Sequence, residues 1–210
     1  MKVGAVILAA GSASRFGGGK LRADLDGRPV VRHVIDAAVE AGLDPIVLVV
    51  PPSDALDGLD LAPARPVLNP TPEAGLSGSV RIGLRALEAD AEATPDAAVI
   101  LPGDQPRVRP DVIRALIADA ESAAEPGFVI PRYADDRAPN PVLACRRVWR
   151  LADELAGDHG FGPVLSAHPE LVRRVPLPGA NPDVDTREDL ERLRSKGRAS
   201  TTTEDGADVS

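Results

Sequence analysis

The stretch Val6-Ile7-Leu8-Ala9-Ala10-Gly11-Ser12-Ala13-Ser14-Arg15-Phe16-Gly17-Gly18-Gly19-Lys20 decides how the rest of the chain is read. An apolar run stops at Gly11, and a small, polar, glycine-rich segment follows that carries Arg15 and ends on Lys20. Backbone N–H groups of a glycine-rich turn can converge on an anion, because no Cβ holds the ligand away. Two cations in one loop suit a polyphosphate. Run and loop together predict a nucleotide-binding loop at the carboxyl end of the first strand of an α/β sheet. The residues alone leave a second reading open, a flexible connection through Gly17-Gly18-Gly19. Two phosphate-binding patterns are absent. A Walker A loop needs Gly at the position of Ser14 and Ser or Thr at the position of Leu21, and the dinucleotide pattern G-x-G-x-x-G fails because Ser12 and Ala13 follow Gly11.

Working outward, the composition bounds the class. The chain has 210 residues, 43% of them hydrophobic and only 2% aromatic, so a core of one ordinary domain must be built from Val, Leu, Ile and Ala. A net charge of −8 argues against a protein that coats nucleic acid or an anionic membrane. Cys145 is the single cysteine, and His33, His159 and His168 have no zinc-ligand spacing. No apolar run approaches a membrane span, and the N-terminus runs into a strand-like segment without a leader pattern. The expectation is a soluble cytoplasmic protein.

Strand, loop and helix then alternate. Lys2 to Ala9 and Ile46 to Val50 read as buried strands, Pro66 to Leu68 as a weaker third strand and Ala97 to Leu101 as a very apolar one. A helix after Pro29 carries Val30, Val31, Val34, Ile35, Ala38 and Val39 on one face and stops at Gly42. Ser77 is placed as the N-cap of a second helix through Val80, Leu84 and Leu87, and Pro110 opens a third. This alternation predicts a doubly wound α/β sheet, mostly parallel, with helices on both faces. Ligands of such sheets bind at the carboxyl ends of strands. Gly11 to Lys20 and Asp104 both sit at such ends.

The second half is less regular. Phe128 to Pro131, Pro141 to Ala144 and Leu171 to Val175 read as strands, and Val148 to Leu155 as a helix with Trp149 as a packing anchor. Gly157 to Gly162 reads as a loop containing His159. Thr186 with Asp189 forms an N-cap signature for a helix through Leu190 and Leu193. One domain is expected over 1–194, followed by a polar, disordered tail over 195–210.

Several blocks carry a family resemblance. Leu8-Ala9-Ala10-Gly11, continued through Arg15-Phe16-Gly17 to Lys20, resembles the signature of the MobA-like nucleotidyltransferases, and within them the molybdenum cofactor cytidylyltransferases of the MocA group. Asn69-Pro70 with Gly75-Leu76-Ser77 and Ser79, then Leu101-Pro102-Gly103-Asp104-Gln105-Pro106, Asn140-Pro141-Val142-Leu143, Gly157-Asp158 with Gly160, and Asp183-Val184-Asp185-Thr186 resemble later blocks in the family's order. The resemblance covers about residues 3 to 194. Where the family carries Gly ahead of Asn-Pro, this chain has Pro139 after Arg137-Ala138, which stiffens the loop.

The resemblance implies a Rossmann-like nucleotidyltransferase that moves CMP from CTP to the terminal phosphate of molybdopterin and releases pyrophosphate. It implies Lys20, Arg15 and Asp104 as catalytic residues. Leu8, Ala9, Ala10, Gly11, Ser12, Lys20, Gly75, Ser77, Ser79 and Gly103 would bind the nucleotide, and Asn140 and Pro141 would meet the acceptor. Mg²⁺, with Mn²⁺ as an alternative, would sit on Asp104 and Asp185; the residues themselves also allow Asp185 a helix-capping role. Ala10, where guanylyltransferases of the family carry Gly, would favour a pyrimidine base. The partners implied are an NTP, the pterin cofactor and a molybdoenzyme or its chaperone. The alternatives are GTP or another NTP, another phosphorylated acceptor, and a non-catalytic cofactor carrier. An NAD(P) oxidoreductase is disfavoured by the missing dinucleotide pattern.

Overall fold

The computed structural model describes residues 1–11, 14–53, 55–89, 94–133 and 139–201. Ser12 and the turn residues Asp135, Asp136, Arg137 and Ala138 lie outside them. Along the chain come β1 (Val3–Leu8), short 3₁₀ turns at Ser14–Phe16 and Lys20–Arg22, the ribbon β2 (Asp24–Leu25) and β3 (Arg28–Pro29), α1 (Val30–Glu40), β4 (Ile46–Val50), β5 (Arg65–Leu68), α2 (Leu76–Glu88), β6 (Ala97–Pro102), α3 (Pro110–Ser122), β7 (Phe128–Arg132), β8 (Val142–Cys145), a 3₁₀ stretch Arg146–Glu154, α4 (Gly162–Ala167), β9 (Val172–Pro176) and α5 (Arg187–Thr201).

Seven strands form one sheet in the order β5-β4-β1-β6-β8-β7-β9. Only β8 runs antiparallel to its neighbours, β6 and β7; the other pairings are parallel. The fold is therefore the expected mixed, mostly parallel α/β sheet. Strand alternation feeds two apolar layers at once. Ala5, Ile7 and Ala9 of the first strand segment pack with Val31, Val34 and Ile35 of α1 and Ile113 and Leu116 of α3. Val6, Leu8 and Ala10 pack with Val80, Leu84 and Leu87 of α2 and with Val164 and Leu165 of α4. A strand covered on both faces has no polar side, which is why the sequence runs are continuously apolar. Among the described residues no helix is long and apolar enough to cross a membrane.

Two local readings are corrected. Ser77 is not the N-cap of α2. The helix starts at Leu76, Gly75 is its cap, and the Ser77 N–H donates to the Gly157 carbonyl at 3.2 Å. A carbonyl from a distant loop satisfies the orphan donor, so no side-chain cap is needed. The segment through Trp149 is 3₁₀ rather than α-helical. Its buried pairs Val148-Trp149 and Leu151-Ala152 repeat every three residues, the 3₁₀ period, and the Trp149 Nε1–H holds the Ala144 carbonyl at 2.8 Å. The last helix, α5, runs from Arg187 to Thr201. Leu190 and Leu193 on its buried face and the i,i+3 ion pair Asp189–Arg192 support its first turns. Residues 202–210 lie outside the described residues.

Candidate active site

The site is assembled where the parallel strands end. β1 and β6 are neighbours with Leu8 opposite Pro102, so the segments that follow them leave the sheet side by side. The Gly103 N–H donates to the Leu8 carbonyl at 2.9 Å. A Cβ on Gly103 would stand 2.8 Å from that same oxygen, so only glycine lets the two chains come this close. Asp104 follows at once. The Val184 N–H donates to the Asp104 carbonyl at 2.9 Å, which draws Asp185 to the same point from the far end of the chain. The loop after β1 is pinned by Phe16, buried against Leu25, Val30, Val184, Leu190 and Leu193. The Arg187 guanidinium lies 5.5 Å above its ring. Thus one apolar plug fixes the loop, the ribbon and α5 together, and Lys20 is aimed across the strand ends.

Lys20 Nζ donates to Asp104 Oδ2 at 2.6 Å and to Asp185 Oδ1 at 3.3 Å. Its side chain is 12% exposed, that of Asp104 25% and that of Asp185 43%. Burial works against the lysine charge, but the charge and hydrogen bond of Asp104, joined by Asp185, outweigh it and hold the ammonium pKa above its ordinary value. Arg15 Nη1 reaches Asp185 Oδ2 at 3.3 Å with a side chain largely in solvent. Lys20, Arg15, Asp104 and Asp185 therefore converge. Asp185 does not cap α5. That task falls to Thr186 and Asp189 together: Thr186 Oγ1 accepts from the Asp189 N–H, and Asp189 Oδ2 accepts from the N–H groups of Asp185 and Thr186 and from Thr186 Oγ1.

Beneath this cluster runs a polar chain that sequence reasoning missed. Gln105 Nε2 donates to Asp183 Oδ1 at 2.5 Å, and Asn181 Nδ2 donates to Gln105 Oε1 at 2.8 Å and to the Asn140 carbonyl at 3.5 Å. Tyr133 Oη donates to the same Asn140 carbonyl at 3.2 Å. Gln105 and Asn181 are buried. The only sequence signal was polarity itself, an amide next to Asp104 and another just before Asp183. Asn140 is half-buried and Pro141 buried, at the start of β8, whose reversed direction brings that start beside the end of β6.

The second nucleotide block is nearby but inward-facing. Asn69 is fully buried, and its Nδ2 donates to Ser79 Oγ at 3.0 Å. Ser77 is also buried, with Arg81 Nη2 at 3.5 Å from its Oγ. Gly75 has φ +92° and lies so near Gly157 that a Cβ would meet its carbonyl at 2.4 Å. Leu8, Ala9 and Ala10 are buried, and Gly11 is exposed. His159 lies exposed in the loop that covers Gly75.

Two carboxylates, Asp104 just after β6 and Asp185 just before α5, that meet around one cation form a hard oxygen pair, the donor chemistry that Mg²⁺ or Mn²⁺ prefers. Among the described residues no three His, Cys, Asp or Glu side chains form a group that could hold a metal. A divalent ion on Asp104 and Asp185 would thus complete its shell with water and phosphate oxygens. The residues present fit such an ion.

Comparison with known proteins places these features. A model of the MobA-like NTP transferase domain matches residues 5–172. The 3-deoxy-manno-octulosonate cytidylyltransferase of Rhodospirillum centenum is 30% identical over 192 residues, covering 82% of this chain and 73% of that protein. The crystal structure of Rv0371c from Mycobacterium tuberculosis superimposes with a TM-score of 0.79 at 27% identity, covering 93% of this chain and 98% of that one. The same protein in complex with manganese gives a TM-score of 0.76 at 25% identity, covering 93% and 99%. A match that runs from the first strand of the sheet to the beginning of its last does not rest on the nucleotide loop alone: the chain belongs to the family of the MobA-like NTP transferase domain and is a nucleotidyltransferase.

Proposed function

We propose that the protein transfers CMP from CTP to the terminal phosphate of a molybdopterin-type pterin and releases pyrophosphate, with Mg²⁺ as the metal. The observation that carries this reading is the meeting of Lys20 with Asp104 and Asp185 beside the end of β6. An acceptor phosphate oxygen attacks the α-phosphorus; a new O–P bond forms and the bond to pyrophosphate breaks. Charge grows on the leaving group, so positioning and charge neutralisation dominate the catalysis. Lys20 turns from the carboxylates to the triphosphate, and Arg15, already in solvent, closes on it from the other side of the loop. Asp104 and Asp185 hold the ion, which neutralises triphosphate charge when bound. Gly11 and Gly103 present backbone rather than side chains to the nucleotide. The segment at Asn140 and Pro141 faces the acceptor. CTP is favoured by the cytidylyltransferase relative. That relative's name also supports a second acceptor, a sugar acid of the 3-deoxy-manno-octulosonate kind.

Incubation with Mg²⁺ and either CTP or GTP, in the presence of the pterin cofactor or the octulosonate, with the product read by mass spectrometry, tests this. A pterin cytosine dinucleotide is expected. A product from the sugar acid alone replaces the acceptor, and no pyrophosphate from any NTP overturns the reading. Lys20→Met and Asp104→Asn should each lower turnover by about 10²–10³-fold, as removal of a charge-stabilising group does elsewhere.

A further inference from the structure

The amide chain beneath the carboxylates has a fixed polarity. At one end stands the Asp183 carboxylate and at the other the Asn140 carbonyl, both acceptors. Two amides linked between two acceptors must each turn an N–H₂ outward to an end or to the next oxygen. Gln105 gives its Nε2 to Asp183, so its Oε1 faces Asn181, and Asn181 must answer with Nδ2. The Asn181 Oδ1 is left over: it is buried without a hydrogen-bond partner. A buried orphan oxygen is retained against a free-energy cost, and here the two acceptors dictate it. Gln105 is 2% exposed and Asn181 9%, so neither amide can turn to water instead.

Gln105 adjoins Asp104 in the chain, and its amide grips Asp183, two residues before Asp185. The Val184 N–H to Asp104 carbonyl bond runs between the same two segments. We propose that Gln105 is a positioning residue that sets the separation of the Asp104 and Asp185 carboxylates, and that Asn181 orients its amide and ties the pair to the Asn140 segment. This rests on the metal role given to the two carboxylates above. Outer groups that hold metal ligands in place typically contribute 10- to 100-fold to metal affinity.

The test is titration of the free protein with MnCl₂, reading unbound Mn²⁺ by EPR, with folding checked by near-UV circular dichroism. Gln105→Leu, which keeps bulk and removes the donor, should bind Mn²⁺ about 10- to 100-fold more weakly than wild type. Gln105→Glu sets one carboxylate against another and should be weakened as well. Q105E/D183N reverses donor and acceptor at unchanged net charge, and should recover most of the affinity, which a loss of general packing would not predict. A folded Gln105→Leu protein with wild-type affinity overturns the proposal, as does a double variant no better than Gln105→Glu. Should Gln105→Leu not fold, the Q105E and Q105E/D183N pair carries the test. If wild type shows no Mn²⁺ binding that Asp104→Asn weakens, the metal reading falls and this inference with it.

Discussion

Lys20 neutralises two carboxylates that would otherwise repel one another, with Asp183 close behind them. Burial pushes the Asp183 pKa upward, with a smaller contribution from the charges of Asp104 and Asp185, against the Gln105 hydrogen bond that favours its ionised form. Replacing Lys20 by Met should therefore destabilise the protein by about 1–2 kcal/mol, between the values for exposed and buried pairs. MgCl₂ should restore part of that loss in Lys20→Met and raise wild type less, because wild type must first release its lysine. Thermal melts with and without the salt read this difference. Cys145 shows the opposite circumstance. Burial pushes its thiol up to about 11, so the nucleophilic thiolate is scarce at neutral pH. Its reaction with a disulfide reagent at pH 8 should be slow in the native protein and immediate in guanidinium. Ala10 marks a limit of single-residue reading. The residue proposed to select the base is packed in the apolar layer toward α2, a placement its identity did not reveal.

Elements were legible where their signals were local. Thr186 and Asp189 lie three residues apart, and the capping exchange expected of them is present, with Asp189 N–H also donating to Thr186 Oγ1 at 3.2 Å. Hydrogen bonds from Thr186 hold the Asp189 carboxyl below its ordinary value of 3.8. A depressed carboxylate stabilises the fold above its unfolded pKa and loses that contribution as pH falls through the folded one. Asp189→Ala should cost about 1 kcal/mol at pH 7. The difference from wild type in urea unfolding should shrink below pH 4, as both carry an uncharged group. Ser77 misled because its partner, the Gly157 carbonyl, comes from another loop. The 3₁₀ stretch misled because its apolar pairs fit a three-residue repeat as well as a helical face.

At the scale of the molecule, the parallel sheet gathers residues far apart in sequence at one edge. Lys20 and Asp104 are 84 positions apart, Gln105 and Asp183 78, and Asn181 and Gln105 76. Because this edge exists only in the folded chain, ligands that bind it should stabilise the whole. CTP with Mg²⁺ at a hundredfold excess over its Kd should add about 2.7 kcal/mol. For a chain of this length that is a rise in Tm of roughly 5–10 °C, measurable by scanning calorimetry. Asp104→Asn should abolish most of the rise. The sequence by itself determined the buried strands, the α/β alternation and the loops at the strand ends, because periodicity and glycine placement act within a few residues. Only the tertiary structure decided that β8 runs backward, that Asn140 thereby meets Asn181, and that Gln105 links the two carboxylate segments. Those contacts depend on strand order and on hydrogen-bond partners distant in the chain, which no local pattern encodes.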